Sequence, residues 1–314
     1  MEFSVLGMTT HGDRDQNTEL SKFSDKGIFT KELDVALLQH TIDCAVHCVK
    51  DLPTAFHADL CIASYLPRGV PNDVLLIDKQ RHPNSTCVSD LPAHSVIGTG
   101  SLRRQSLLRS HAFSNYIKVR NIRGNLNTRL HKLVQQHLYD AIVLAETGVR
   151  RLGWMMDAAQ IAQQNADIDS NALLIRACPL SYPYAIGQGA LAIMCRAHDQ
   201  QHHTAVYQAL QALNDFHCEM SCELERSLLR TLEGGCKVPI ATQSGIYVQC
   251  AHCLLWNDIR RDNCQACVHE MMPAQQETVS CNVVLYLYGL VLSVDGSVKI
   301  EATEFKQFTI EDYD

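Results

Sequence analysis

The 314-residue sequence predicts an α/β protein of two lobes around a central cleft, followed by a small α+β C-terminal domain. Three observations carry this expectation. Short apolar runs alternate with helix-period segments through the first two thirds of the chain. Two breaker-rich points, Pro67-Arg68-Gly69-Val70-Pro71 and residues 179–183, bracket a block of domain size, as expected where a chain leaves one lobe, builds a second and returns. Beyond about residue 209 the alternation gives way to one helix and then a run of strands. The expected partition is 1–68 with 186–208 as the first lobe, 69–185 as the second, and 209–314 as the third domain.

In chain order, residues 3–8 read as a short strand. Thr30 is placed to cap a helix to about residue 39, with Leu33, Ala36 and Leu37 on its apolar face. Residues 44–49 read as a buried strand, and 74–77 and 95–98 as further strands. Ser101 opens a helix to about residue 110, and 116–119 is a strand. Asn125 opens a helix whose Leu126, Leu130, Leu133, Val134 and Leu138 share a face, and 141–145 is again a strand. This alternation predicts largely parallel sheets. Residues 217–232 form a helix with Cys218, Cys222, Leu224, Leu228 and Leu232 placed to pack, ended by Gly234-Gly235. Strands follow at 238–242, 246–249, 283–292 and 298–305, with Asp295-Gly296 as a hairpin turn between the last two.

Apolar content of 46% and charged content of 19% exclude a disordered or fibrous chain. The longest apolar runs, such as 283–287, fall far short of a membrane span. Residues 1–7 have neither the basic region nor the apolar stretch of a signal peptide, so a cytoplasmic protein without a membrane partner is expected, or an organellar one where a targeting N-terminus has been lost. A net charge of −7 argues against nucleic-acid binding, yet residues 101–132 hold eight Lys or Arg and no Asp or Glu. An acidic chain that gathers its cations in one stretch is built to hold a small polyanion. Fourteen cysteines without an export signal do not suggest a disulfide framework.

Five segments carry chemistry. His47-Cys48-Val49-Lys50-Asp51-Leu52-Pro53 places a lysine and a carboxylate at a strand end, where they could pass a proton or form a surface ion pair. Gly98-Thr99-Gly100-Ser101-Leu102-Arg103-Arg104 runs a strand into an anion-binding turn. Its two arginines oppose the helix dipole, so they are better explained as carboxylate or phosphate clamps. Arg123-Gly124-Asn125-Leu126-Asn127-Thr128-Arg129 and Glu146-Thr147-Gly148-Val149-Arg150-Arg151 repeat the theme, so that three strand ends supply arginines to one rim. Gly234-Gly235-Cys236-Lys237 presents an open thiol beside a cation, a candidate nucleophile or attachment point.

Together with Lys26-Gly27-Ile28-Phe29-Thr30-Lys31-Glu32-Leu33 and Gly187-Gln188-Gly189-Ala190-Leu191, these segments resemble the hydroxymethylbilane synthase (porphobilinogen deaminase) family. The resemblance runs over about 8–202 and 215–241. It implies two lobes like those of bacterial solute-binding proteins, and a third domain whose Cys236 holds a dipyrromethane cofactor by a thioether. It implies a transferase of tetrapyrrole and heme biosynthesis. Four porphobilinogen units would be condensed head to tail with loss of ammonia, giving hydroxymethylbilane. Asp51 and Lys50 would be catalytic. Cys48, Lys50, Asp51, Thr99, Ser101, Arg103, Arg104, Arg123, Gly124, Arg129 and Gln188 would contact the cofactor. Arg123, Arg129, Arg151, Lys22 and Lys26 would bind porphobilinogen and the growing polypyrrole. The family is commonly monomeric.

The sequence departs from the family in three ways. A Gly-Thr-Arg-x-Ser-x-Leu-Ala type of motif, which touches the cofactor, is absent. Cys48 stands where a serine is usual. Residues 249–282 read as an insertion whose Cys250, Cys253, Cys264 and Cys267 have the spacing of a structural zinc site. Two other readings stay open: a catalytically impaired homologue, and a two-lobed polycarboxylate-binding protein with no chemistry.

Overall fold

The structure is a computed structural model, and it describes residues 4–15, 18, 27–110, 116–154, 175–180, 182–232, 238–249, 256–258 and 282–309. The chain begins with α1 (His11–Arg14), α2 (Lys31–Leu38), β1 (Ala45–Cys48), a 3₁₀ turn over Val49–Asp51, β2 (Leu60–Tyr65) and β3 (Asp73–Asp78). Next come β4 (Val96–Gly98), α3 (Leu102–Ser110), β5 (Lys118–Arg120), α4 (Leu126–Val134), β6 (Ala141–Ala145), α5 (Glu146–Arg151) and β7 (Ile175–Leu180). Then follow β8 (Leu191–Arg196), α6 (Ala197–Gln201), α7 (Ala205–Gln211) and the long α8 (Phe216–Thr231). Strands β9 (Ile240–Gln249), β10 (Trp256–Asp258), β11 (Asn282–Leu292) and β12 (Lys299–Thr309) complete the described elements.

Three sheets organise these elements, in the orders β1-β8-β2, β5-β4-β6-β3-β7 and β10-β9-β11-β12. The chain leaves the first sheet after β2, builds the second, and returns to the first at β8. This is an α/β fold of two lobes with an antiparallel third unit. The expectation of largely parallel sheets is corrected. Among the described residues only β4 pairs in parallel, with β5 and β6, and every other strand pairing is antiparallel. The cause is the crossover: a chain that returns from another lobe enters β8 against the direction of β1 and β2. Residues 4–10, expected to include a strand, pair with no described strand, and Val5 and Leu6 are exposed.

The second lobe shows why its strands are apolar throughout. Along β3, Val74 and Leu76 enter one core cluster while Leu75 and Ile77 enter the cluster on the opposite face. In β6, Ile142 and Leu144 alternate with Ala141 and Val143 in the same way. With helices on both faces, every position of β3 and all but the terminal Ala145 of β6 are buried. Asn125 caps α4 by accepting from the Thr128 amide at 2.8 Å, and Asp215 caps α8 by accepting from Cys218 at 2.7 Å. Each cap contributes about 1 kcal/mol.

Helix α8 joins the third unit to the first lobe, with Cys218 and Cys222 inside that lobe's core. The expectation that Leu232 packs is corrected: it is exposed, and Ser221, Glu225 and Arg226 take buried positions on the helix. Against the second lobe, Leu107 of α3 packs on Ala241, Leu290 and Leu292. The tip of the β11–β12 hairpin also docks there, through Val294 O, which accepts from Ser106 Oγ and Arg109.

Two buried ion clusters fasten the crossovers. Glu225, fully buried, receives Arg68 at 2.7 and 2.9 Å, the Gly187 amide at 2.7 Å and Ser244 Oγ at 2.6 Å. One carboxylate thus ties both crossovers to the third unit. Arg68 also donates to Gln188 O, and Gly69 N to Gly189 O. The two crossover segments run so close that a Cβ on Gly189, whose φ is +89°, would lie 2.5 Å from Gly69 O. The second cluster is Asp73, which receives Arg103 at 2.7 Å, Arg104 at 2.8 Å and Gln188 Nε2 at 2.8 Å.

Candidate active site

Three adjoining cavities form the cleft. A cavity of about 330 Å³ is lined by residues including Phe29, Lys50, Asp51, Ser101, Arg104 and Gln188. A second, of about 280 Å³, shares Lys50, Asp51, Arg104 and Arg129 with it and adds Cys48, Gly124 and Arg151. A third, of about 290 Å³, continues past Arg129 to Arg123, Phe29 and Asp13. The cavities share wall residues, and the charged side chains that line them are mostly cations.

The sequence folds this way for local reasons. Pro53 ends the run begun by β1, and the intervening 3₁₀ turn brings Lys50 and Asp51 to the cleft floor. Gly187, with φ +69°, lets the second crossover pass Val49, whose Cγ1 would lie 2.4 Å from a Cβ there. Asp51 is open to cleft solvent yet sunk between the walls, and this burial raises its carboxyl above the usual range. Lys50, Arg129 and Arg104 oppose that rise. Burial lowers the Lys50 ammonium, against the pull of Asp51. Burial also lowers the Arg129 guanidinium, to about 10, and the nearby Arg104 and Arg123 add to the effect. Cations forced together without enough anions are the electrostatic signature of a site awaiting one.

The predicted residues divide by what they touch. Arg129 donates its Nε to Gly124 O at 2.8 Å, and Arg151 reaches Gly189 O at 3.3 Å. Neither has a carboxylate within ion-pair distance among the described residues, so both keep charge for a ligand. Arg123 holds Asp15 O at 3.0 Å and Gly12 O at 3.3 Å, tying the N-terminal segment over the cleft. Arg103 and Arg104, expected as clamps, spend part of their hydrogen-bonding capacity on Asp73. Burial alone would raise that carboxyl, but the two arginines outweigh it and hold it well below the usual range. Two cations on one anion leave net positive charge, and both arginines still line the first cavity. Gln188 joins the same cluster and reaches Pro71 O at 2.6 Å. Thr99 is fully buried, and its Oγ1 accepts from the Ser101 amide at 3.2 Å, so Thr99 shapes the turn while Ser101 faces the cavity.

Several expected residues lie outside the described ones: Lys22, Lys26, Cys236, and the zinc candidates Cys250, Cys253, Cys264 and Cys267. Leu229 and Val238, on either side of the 233–237 segment, both line the first cavity. Sequence reasoning missed Asp73, Arg68 and Glu225. The available signal was a charged residue, Glu225, three positions after Cys222 on an apolar helix face. It also missed Phe29, which lines the first and third cavities.

Among the described residues no helix is long and apolar enough to cross a membrane, and no group of three or more His, Cys, Asp or Glu is placed to hold a metal.

Comparison with known proteins assigns residues 1–204 to the family described as "Porphobilinogen deaminase, dipyromethane cofactor binding domain", and 220–257 to "Porphobilinogen deaminase, C-terminal domain". A porphobilinogen deaminase of Gloeobacter violaceus is 39% identical over 249 residues, 79% of this chain and 68% of that protein. That of Synechococcus elongatus is 40% identical over 245 residues, 78% of this chain and 69% of that protein. Among solved structures, the periplasmic aliphatic sulphonate binding protein SsuA from Escherichia coli aligns with a TM-score of 0.34 and 18% identity, covering 64% of this chain and 61% of that one.

Proposed function

The chain belongs to the porphobilinogen deaminase family, and from that premise we propose that it is a hydroxymethylbilane synthase, a transferase that condenses four porphobilinogen units head to tail and releases ammonia. It would work in the cytoplasm as a monomer, in tetrapyrrole biosynthesis. The observation that carries this reading is the cleft itself, with one carboxylate, Asp51, recessed among Lys50, Arg104, Arg129 and Arg151.

The residues present fit a dipyrromethane. Each pyrrole bears an acetate and a propionate, and the cleft offers cations in excess of its anions, two of them, Arg129 and Arg151, with no carboxylate partner among the described residues. Cys236 would attach the group by a thioether; Leu229 and Val238, which precede and follow its segment in the sequence, both line the first cavity. When bound, the dipyrromethane supplies the pyrrole carbon to which the next unit is joined.

The chain's own residues then have distinct tasks. Arg129, Arg151 and Arg123 hold carboxylates by charge-assisted hydrogen bonds, each contributing about 1.5–3 kcal/mol. Burial raises the Asp51 carboxyl, which favours its proton-bearing form. Its oxygen can deliver that proton to the amino group departing as ammonia. The resulting carboxylate then lies against the positive charge that develops on the pyrrole. Lys50 opposes that rise and so favours release of the proton. Ser101 and Phe29 line the wall beside the reacting pair.

Purified protein incubated with porphobilinogen tests this reading: ammonia release matched by a linear tetrapyrrole mass supports it. Binding without turnover would favour the polycarboxylate-binding protein or an impaired homologue. The proposal also assigns one structural zinc ion to Cys250, Cys253, Cys264 and Cys267 on their spacing alone. About one equivalent of zinc per chain after expression in zinc-supplemented medium is expected, and none would remove the metal from the account.

A further inference from the structure

Strands β2 and β8 set two thiols face to face under α7, away from the cleft. Cys61 and Cys195 are direct cross-strand partners, with Sγ atoms 3.7 Å apart. Opposed residues on antiparallel strands have Cα atoms about 4.5–5.5 Å apart, inside the span of about 4.4–6.8 Å that a disulfide bridges. The bond needs the sulfurs at about 2.05 Å, so each has to move by less than an ångström from the observed separation. The β2–β8 register shifts between Ile62 and Ser64, next to Cys61, which gives the strand local freedom to take up that movement.

The two thiols are unequal in a way that suits stepwise oxidation. Cys61 is partly exposed and Cys195 is buried. The contact with Cys195 favours the Cys61 thiolate, and the same contact pushes the Cys195 thiol up. Cys218 and Cys222 are also close, at 3.9 Å, but both are buried and follow one another along a single helix.

We propose that Cys61 and Cys195 form a peroxide-sensitive dithiol that closes to a disulfide within the folded first lobe. The Cys61 thiolate attacks a peroxide oxygen and breaks the O–O bond, giving a sulfenic acid and a hydroxide, which takes up the proton that Cys61 released on ionising and becomes water. Cys195 Sγ then attacks that sulfur and displaces the hydroxyl, which leaves as water with the Cys195 proton. Overall the two thiols lose two electrons and two protons, and one hydrogen peroxide becomes two waters. The bond links residues 134 apart in sequence, on the two strands that run into the crossovers. Neither sulfur lines the cleft cavities.

The full chain is treated with hydrogen peroxide in its folded state, alkylated and mapped by peptide mass. The expected result is a Cys61–Cys195 linked peptide, reversed by dithiothreitol. Cys61→Ser should leave Cys195 a thiol, and Cys195→Ser should let Cys61 proceed to sulfinic acid. Three results would each overturn the proposal: linkage of Cys61 to Cys44, which packs on the same cluster; overoxidation of Cys61 in the native chain; or an unreacted Cys61 under conditions that oxidise the exposed Cys48.

Discussion

Glu225→Gln tests whether one buried carboxylate holds the two crossovers and the third unit together. The substitution keeps the volume and removes the charge. Arg68, whose side chain is 5% exposed, then loses its only ion-pair partner among the described residues, and Gly187 N and Ser244 Oγ lose a charged acceptor. Breaking a buried pair from one side costs about 3–5 kcal/mol, because a cation is left buried without compensation. At roughly 2–4 °C per kcal/mol for a chain of this size class, the first thermal transition should fall by roughly 6–20 °C. Differential scanning calorimetry reads this directly. The double variant Arg68→Met, Glu225→Leu removes both charges and should recover most of the loss. A Glu225→Gln midpoint within about 2 °C of the parent, or a double variant worse than the single, would refute the reasoning, since the penalty would not come from an orphaned charge.

Asp51→Asn should lower turnover by about 10²–10⁴-fold, the usual contribution of a positioned acid or base, with binding of porphobilinogen largely kept. The same variant should be more stable than the parent at neutral pH. Asp51 is raised in the folded state, so the stability it contributes is present at low pH and lost as pH rises through its folded value. A thermal midpoint for Asp51→Asn that is below the parent's at pH 7 would contradict this sign. With Asp51 as the proton donor, the rate should fall as pH rises through its folded value, so that limb of the parent's rate–pH profile should lie above the ordinary aspartate value, and a limb at or below it would contradict the burial argument. Arg129→Leu should weaken substrate affinity by about 10–100-fold through loss of one charge-assisted contact, read as a rise in KM. An unchanged KM would remove Arg129 from the carboxylate cradle.

Much of the site was legible because its residues sit at strand ends marked by turn chemistry. Gly98-Thr99-Gly100-Ser101 and Gly124-Asn125 announce strand-to-helix turns, and each delivers its arginine to the cleft as expected. Periodicity likewise located β6 and α8 to within a residue or two, whereas the α4 pattern ran on to Leu138, which lies past the helix end at Val134 and is exposed. It did not give strand direction, since β8 is reached only after a whole lobe has been inserted, and local pattern carries no memory of that path. Nor did it give the partners of charged residues. Arg103 and Arg104 read as free clamps because Asp73, thirty positions away, stands on a different strand. Glu225 was hidden for the same reason, its partners coming from both crossovers and from β9.

We propose that this cleft serves a dipyrromethane carried on Cys236. The most direct measurement is the intact mass of the chain, purified from a host that makes porphobilinogen, beside that of Cys236→Ser. A mass increase equal to one dipyrromethane in the parent and none in the variant is the predicted result. An unmodified mass for the folded parent would contradict the account.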